Sequence, residues 1–354
     1  MPLVSKQNIK QYIHKYAEQG LFLHGLPKSF NREQTDFSDL VAAHQNIGFT
    51  TQDSGLILAI NAHLWGSIFP LLNYGSEIQQ QTWLPDLING KTIAGHAITE
   101  PQAGSDLNAL TCSATVVGNG FIVNGHKRYI TNTPIADHLV IYARLDHQLS
   151  AFLVQKNDKG ATFSDEPIVS GCESAPMGDV ILDNCLIPAN RLLGKVGMGS
   201  SMIQHALELE RAFIFAGISG IMKWQLNEVI RYSRERKINR LPLGKNQAIS
   251  HKIAEMKLRL DTIQLWLNEC ARLKNTNKRI TLASAQTKLF ASEAFLQSSL
   301  DAVQILGANG LLSDSRMSTL VNDAMASRLF SGSSEIQKNI IAALSGTGEG
   351  YNPK

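Results

Sequence analysis

The sequence predicts an α+β multidomain protein. An N-terminal helical domain is expected over residues 1–95, a central β-barrel over 96–195 and a C-terminal four-helix bundle over 196–354. Three observations carry this. Apolar residues recur at three- and four-residue spacing toward both ends of the chain, the pattern of helices with one buried face. Between about residues 94 and 188 the period drops to two, in short β-branched-rich runs broken by turn residues. Beyond residue 200 the periodic runs lengthen and their links shorten, which favours antiparallel helix packing.

The elements follow in order. Residues 38–45 and 56–72 read as helices, whereas 20–31 show little helical pattern. Tyr74-Gly75-Ser76-Glu77 stops one helix and caps the next, with Ser76 as the N-cap. Runs 113–117, 121–123, 139–143, 151–154 and 180–182 read as strands, with Gly118-Asn119-Gly120 and Asn124-Gly125 as turn signals. They make a compact barrel or sandwich. Gly197 and Gly199 turn the chain into the bundle. Runs 201–232, 247–273, 282–306 and 315–329 each suit a long helix, and 334–344 a final short one. The Gly-rich tail GTGEGYNPK is expected to be loose.

Composition excludes several classes. Apolar content of 44% and charged content of 18% describe a soluble globular chain, long enough at 354 residues for two or three cores. A net charge of +3 argues against a nucleic-acid partner and leaves a mildly basic surface suited to acidic partners. The four cysteines show no CxxC pairing and the ten histidines no HExxH spacing, so no metal site is expected. Residues 8–16 are polar, unlike a signal peptide, and no apolar run approaches the roughly 20 residues that span a bilayer. A cytoplasmic protein is expected.

The chemistry concentrates in 96–132, HAITEPQAGSDLNALTCSATVVGNGFIVNGHKRYITN. TEPQAGSD sets Thr99 and Ser105 in a loop with exposed backbone N–H groups, able to hold the polar edge of a flat cofactor. NGHKRYITN places Tyr129, Ile130 and Thr131 in a row. In a strand, Tyr129 and Thr131 point the same way, so one covers a ring while the other hydrogen-bonds to it. Read alone, both stretches also fit β-hairpin turns. Together they resemble the acyl-CoA dehydrogenase family, FAD-dependent enzymes that desaturate acyl thioesters. TEPQAGSD matches the first flavin loop of that family, and YITN the second, with Tyr129 where Trp is usual. YGSEIQQQTWLPDLINGK and DNCLIPANRLLGKVGMG resemble the family's entry to and exit from the barrel. Against the family, the N-terminal helical domain is trimmed, which touches the roof of the substrate pocket.

Desaturating a thioester needs a base for the α proton and an acceptor for the β hydride. Flavin N5 suits the second role, and a desolvated carboxylate the first. The resemblance implies a base in a turn before the last helix, where this chain has Ser331 in LFSGSSEIQ. A neutral hydroxyl cannot take this proton. Part of the family, the isovaleryl and long-chain type, carries the Glu on a bundle helix immediately before an Arg. LELERAFIFAG supplies Glu210 and Arg211 there. On a helical wheel they straddle the stripe Ile203, Leu207, Ile214, Ile218 and Ile221, where charges must be paired or functional. An ion pair between the two also accounts for them. The resemblance implies Glu210 as the catalytic base, with Arg211 and Ser105 on the substrate side.

It further implies cofactor contacts from Arg236 to the pyrophosphate and from Gln247 near the adenine. QILGANG offers Gln304, Gly307 and Ala308, and SGSSEIQ offers Ser333 and Glu335, part of this set facing a neighbouring subunit. Alone, the basic stretch RYSRERKINRLPLGKNQ also fits a solvated helix end, QILGANG a helix C-cap and Ser333 an N-cap. Asn239-Arg240 and Asn322-Asp323 depart from the family pattern of Phe-Gly and Arg-Asp. The implied partners are an acyl-CoA or acyl-carrier-protein thioester, an electron-transfer flavoprotein, and further copies of the chain as homodimer or homotetramer, with no metal and no membrane span. Two alternatives stay open: a flavin oxidase or monooxygenase on this scaffold, and a non-catalytic member.

Overall fold

The computed structural model describes residues 4–27, 29–30, 35–165, 167–312 and 315–349. Asn31 and the tail beyond 349, both covered by expectations above, lie outside them. Helix α1 (Ile9–Glu18) was hidden in a polar-looking stretch. Its Ile9, Tyr12, Ile13, Tyr16 and Ala17 are buried, an i, i+3, i+4 face. Helix α2 (Phe37–Thr51) starts from a capping box between Asp36 and Asp39. Helix α3 (Ser54–His63) passes through a π-helical turn, Leu64–Ile68, into α4 (Phe69–Tyr74). Ser76 caps α5 (Glu77–Ile88) reciprocally with Gln79.

One expectation needs correction here. The 21 residues Ser54–Tyr74 hold an 18-residue window of mean hydropathy 1.6, long and apolar enough by length and composition to cross a bilayer. Scattered Asn61, His63 and Ser67 disguise the run. Inside the protein 94% of that window is buried, as in the core helix of a globular protein.

The middle of the chain forms eight strands: β1 (His96–Ala97), β2 (Ser113–Val117), β3 (Gly120–Thr131), β4 (His138–Leu145), β5 (Gln148–Gln155), β6 (Ala161–Phe163), β7 (Met177–Pro188) and β8 (Leu192–Leu193). They run in the order β6-β7-β3-β2-β4-β5-β8, with β1 beside β4. In a flat sheet β3 and β5, three steps apart, would stand about 14 Å from each other. Yet the rings of Phe121 on β3 and Phe152 on β5 meet at 5.2 Å between centroids. The sheet therefore curls around its own core, as a barrel does.

Asn124-Gly125, expected as a turn, lies inside β3 at a register shift against β7. Gly125 has φ 151°, and a Cβ there would stand 2.6 Å from the Cys112 sulfur. The glycine serves a bulge and a close approach.

The C-terminal half holds α6 (Gly199–Glu235), the hairpin β9 (Lys237–Ile238) and β10 (Leu241–Pro242), then α7 (Gln247–Asn275), α8 (Thr281–Leu306), α9 (Arg316–Ser327) and α10 (Ser334–Leu344). Asn239 and Arg240 form the hairpin tip, both left-handed at φ 49° and 69°, as a tight two-residue turn requires. Helix α6 is the axis of the molecule, packed by α2, α3, α7 and α8. Its Gly217 carbonyl would lie 1.8 Å from a Cβ at Gly48 of α2. Side chains are excluded at that crossing.

Candidate active site

Every residue of α6 from Leu209 to Met222 is buried. Two of them are charged: Glu210 at 5% exposure and Arg211 at 9%. Burial of this kind requires partners, and they come from the turn between α9 and α10. Ser331 Oγ donates to Glu210 Oε1 at 2.7 Å, and Arg211 Nε donates to the Ser331 carbonyl at 3.0 Å. So the position that lacks a carboxylate touches the position that has one. On the other side, His96 of β1 brings Nε2 to 3.5 Å from Glu210 Oε2. Burial lowers the His96 pKa, with Glu210 pulling the other way, so the ring is neutral at neutral pH.

The turn is built to stay in place. Ser331 and Gly332 are left-handed at φ 55° and 90°. Their backbone N–H groups meet no acceptor among the described residues. Lys288 Nζ donates to the Arg328 carbonyl at 2.8 Å, and Gln337 Nε2 to the Gly332 carbonyl at 2.8 Å. Arg328 and Ser334 both donate to Glu293 Oε1, at 2.8 and 2.7 Å. Burial pushes Lys288 down to about 7. Ser333 caps α10 through the Ile336 N–H, at 3.5 Å, and Glu335 is exposed beside it.

On the sheet side, Glu100 is the keystone of the TEPQAGSD loop. Its Oε1 accepts from Lys127 Nζ at 2.7 Å and the Cys112 N–H at 3.0 Å. Its Oε2 accepts from Gln102 Nε2 and the Thr111 N–H, both at 2.7 Å. Burial raises the Glu100 pKa, but Lys127 and these N–H groups outweigh it and hold the carboxyl below its usual range. The Thr99 carbonyl accepts from the Arg128 N–H at 2.9 Å, which lays the loop along β3. Thr99 thereby stands beside the run Tyr129, Ile130 and Thr131, with Ser105 further along the same loop. Ser105 is exposed, Thr99 and Thr131 half-buried, and Ile130 buried.

The strand is not regular just before this run, although Tyr129 is exposed, Ile130 buried and Thr131 half-buried. A register shift between Lys127 and Ile130 inserts an extra residue, and Tyr129 adopts φ 59°. The bulge leaves Tyr129 51% exposed, with the Arg128 guanidinium 5.0 Å from its ring centroid. Asn132, which ends YITN, is a clamp: its Nδ2 donates to the Ala59 and Ala94 carbonyls at 2.9 and 3.0 Å.

The remaining predicted residues lie elsewhere. Arg236 and Gln247 flank the β9–β10 hairpin, and Gln304, Gly307 and Ala308 end α8; all five are exposed. A bond of 3.2 Å from Asn309 Nδ2 to the Tyr232 hydroxyl ties the end of α8 to that of α6. Arg236 lies 26 positions beyond Glu210, about 39 Å along the helix axis. Sequence reasoning missed His96, Lys127 and the ordering role of Glu100. Each acts through a partner distant in sequence, and no local pattern announces it. Among the described residues no group of three or more His, Cys, Asp or Glu could hold a metal ion.

Comparison with known proteins matches residues 4–91, 95–185 and 197–345 to the N-terminal, middle and C-terminal domains of acyl-CoA dehydrogenase. An L-prolyl-(peptidyl-carrier protein) dehydrogenase of Pseudomonas fluorescens is 34% identical over 92% of this chain and 87% of its own. Among solved structures, the prolyl acyl carrier protein oxidase AnaB superposes with a TM-score of 0.92, at 36% identity, over 95% of this chain and 90% of its own. PigA with FAD and proline superposes with a TM-score of 0.92, at 29% identity, over 97% of this chain and 90% of its own.

Proposed function

The chain belongs to the acyl-CoA dehydrogenase family, and on that premise we propose an FAD-dependent dehydrogenation of an acyl thioester in which Glu210 removes the α proton. The observation that carries the base assignment is the 2.7 Å contact between Ser331 and Glu210. Two alternative positions for a base converge on one spot, and one of them is a carboxylate.

The residues on the sheet side fit the cofactor: an exposed tyrosine at a bulge, with Thr99 and Thr131 beside it and Ser105 further along the same loop. Ser333 and Glu335 would add contacts from the α10 end. Bound FAD supplies the acceptor for the hydride of the β carbon. The protein does the rest. Glu210 is held at Oε1 by Ser331, while its buried Oε2 has no hydrogen-bond partner and can receive a proton. As the proton leaves, charge gathers on the thioester carbonyl. The unpaired N–H groups of Ser331 and Gly332, with Arg211 beside them, are the donors placed to meet it. Arg211 and Ser105 would line the thioester's path. Arg236 lies too far along α6 to serve the same cofactor, and Gln247, Gln304, Gly307 and Ala308 sit at the helix ends on other elements, so we assign all five to the cofactor of a second copy, in a homodimer or homotetramer.

For the acyl carrier we take a carrier protein over CoA, because the relatives above are named for prolyl groups on carriers. The same acyl group should bleach the flavin faster when presented on a carrier protein than on CoA. The four cysteines are free and buried, which supports a cytoplasmic location. In Glu210→Gln, FAD should stay bound while thioester-dependent bleaching falls at least a hundredfold. An unchanged rate rejects Glu210 as the base. A second reading concerns only the electron acceptor. AnaB is named an oxidase, so oxygen could replace an electron-transfer flavoprotein; the yield of peroxide per turnover decides.

A further inference from the structure

We propose that His96 is a positioning residue for the base: its Nε2–H holds Oε2 of Glu210, while Ser331 holds Oε1. This rests on the reading of Glu210 as the base and adds its second support.

The two side chains face each other at 3.5 Å and are nearly sealed from solvent, at 12% and 7% side-chain exposure. In substrate-free sites such contacts are commonly long and tighten when substrate binds. Both Glu210 Oε2 and His96 Nδ1 are buried without a hydrogen-bond partner. With its proton on Nδ1, the ring would bury an orphan donor and aim a lone pair at a carboxylate. With the proton on Nε2, the donor meets Oε2, and only a cheaper unfilled acceptor is left over. Two lone pairs on Oε2 allow the imidazole to hold one while the other receives the substrate proton.

The place for the ring is built. The π-helical turn Leu64–Ile68 sets Gly66 against His96, where a Cβ would stand 2.8 Å from the His96 backbone nitrogen and 3.0 Å from its Cγ. Single π turns of this kind recur at functional sites. That turn, Leu-Trp-Gly-Ser-Ile, contributes no titratable group. The charged groups on the opposite side are Arg211 of α6, bonded to the Ser331 carbonyl, Glu208 of α6, and Lys288 of α8 and Arg328 behind Arg211. His96 is thus the group that reaches Glu210 from the sheet. Burial keeps it neutral. A neutral donor orients a carboxylate without tying it into a full ion pair, which would weaken it as a base.

The test compares FAD-loaded wild type, His96→Phe and His96→Gln. One readout is the pH profile of thioester-driven flavin reduction in a single turnover. The other is the infrared carboxyl band of Glu210, identified by its loss in Glu210→Gln. Removing an N–H donor from a carboxylate raises its pKa. His96→Phe should therefore shift the base's apparent pKa upward by roughly one unit, and His96→Gln, which keeps an N–H, should restore most of the wild-type profile. If the ring of Phe prevents folding, His96→Leu takes its place. An unmoved profile in the apolar variant, or His96→Gln behaving like it, overturns the proposal. Turnover surviving in Glu210→Gln ends the base assignment itself. Loss of turnover there with an unmoved His96→Phe profile ends this inference alone.

Discussion

Ser331 and Glu210 share one hydrogen bond of 2.7 Å from opposite sides of the same spot, and this invites an exchange of their ends. Glu210→Ser combined with Ser331→Glu keeps a hydroxyl facing a carboxylate but moves the carboxylate to the turn. Position 331 already tolerates a side chain at φ 55°, so the new Glu meets no backbone strain that Ser does not. Glu210→Ser alone should leave flavin unbleached by thioester, and the double variant should recover a measurable fraction of the rate. If recovery is absent while FAD stays bound, the two positions do not face one reacting carbon. This pair was legible in the sequence because each half sits in a recognisable motif, one with its carboxylate lost and one with it gained. His96 was not legible. It precedes the loop motif by three residues on a two-residue strand, and what gives it meaning lies on α6.

Elements were legible where their period is long and uninterrupted. The four long bundle helices end within a few residues of the expected positions, and α10 spans Ser334–Leu344 as predicted. Short strands such as β6 and β8 escaped because two or three residues establish no alternation. The π turn escaped because it differs from an α-helix only in backbone pairing. Contacts between elements were less legible still, and Asp323 of α9 shows why. It accepts from the Cys172 N–H at 2.6 Å, tying α9 to the loop before β7. Burial pushes its pKa up to about 6 from 3.8, despite help from Cys172 and Ser54. The folded state thus binds this proton more tightly than the unfolded one. Its contribution is fully present below about pH 3.8 and is lost as pH rises through about 6. Asp323→Asn keeps an acceptor oxygen and does not titrate. It should be more stable than wild type near neutral pH, by at most about 3 kcal/mol, with the gain vanishing toward about pH 4. Melting curves at both pH values check this, and a gain that grows on acidification would contradict it.

At the scale of the whole molecule, the predicted cofactor residues fall into two groups that one chain does not unite. Thr99, Ser105, Tyr129, Ile130, Thr131 and Ser333 belong to the sheet side and the α10 turn, with Glu210 between them. Arg236 sits exposed about 39 Å along α6 from the base, and Gln247, Gln304, Gly307 and Ala308 are exposed at the start of α7 and the end of α8. Such a division is what a site shared between two copies requires, each lending the far end of its bundle to the other's cofactor. A guanidinium against a phosphate is worth about 1.5–3 kcal/mol, or roughly ten- to a hundredfold in affinity. Arg236→Ala should therefore weaken FAD retention by that factor. At saturating FAD the rate of thioester-driven reduction should stay within about threefold of wild type, because Arg236 is remote from the base and its effect is on ground-state binding. Dilution adds a second measurement. As mass by light scattering falls toward that of one chain, flavin should leave the protein fraction in step. A single chain that keeps its flavin, or an Arg236→Ala protein that binds FAD as tightly as wild type, would show that the far group serves no cofactor.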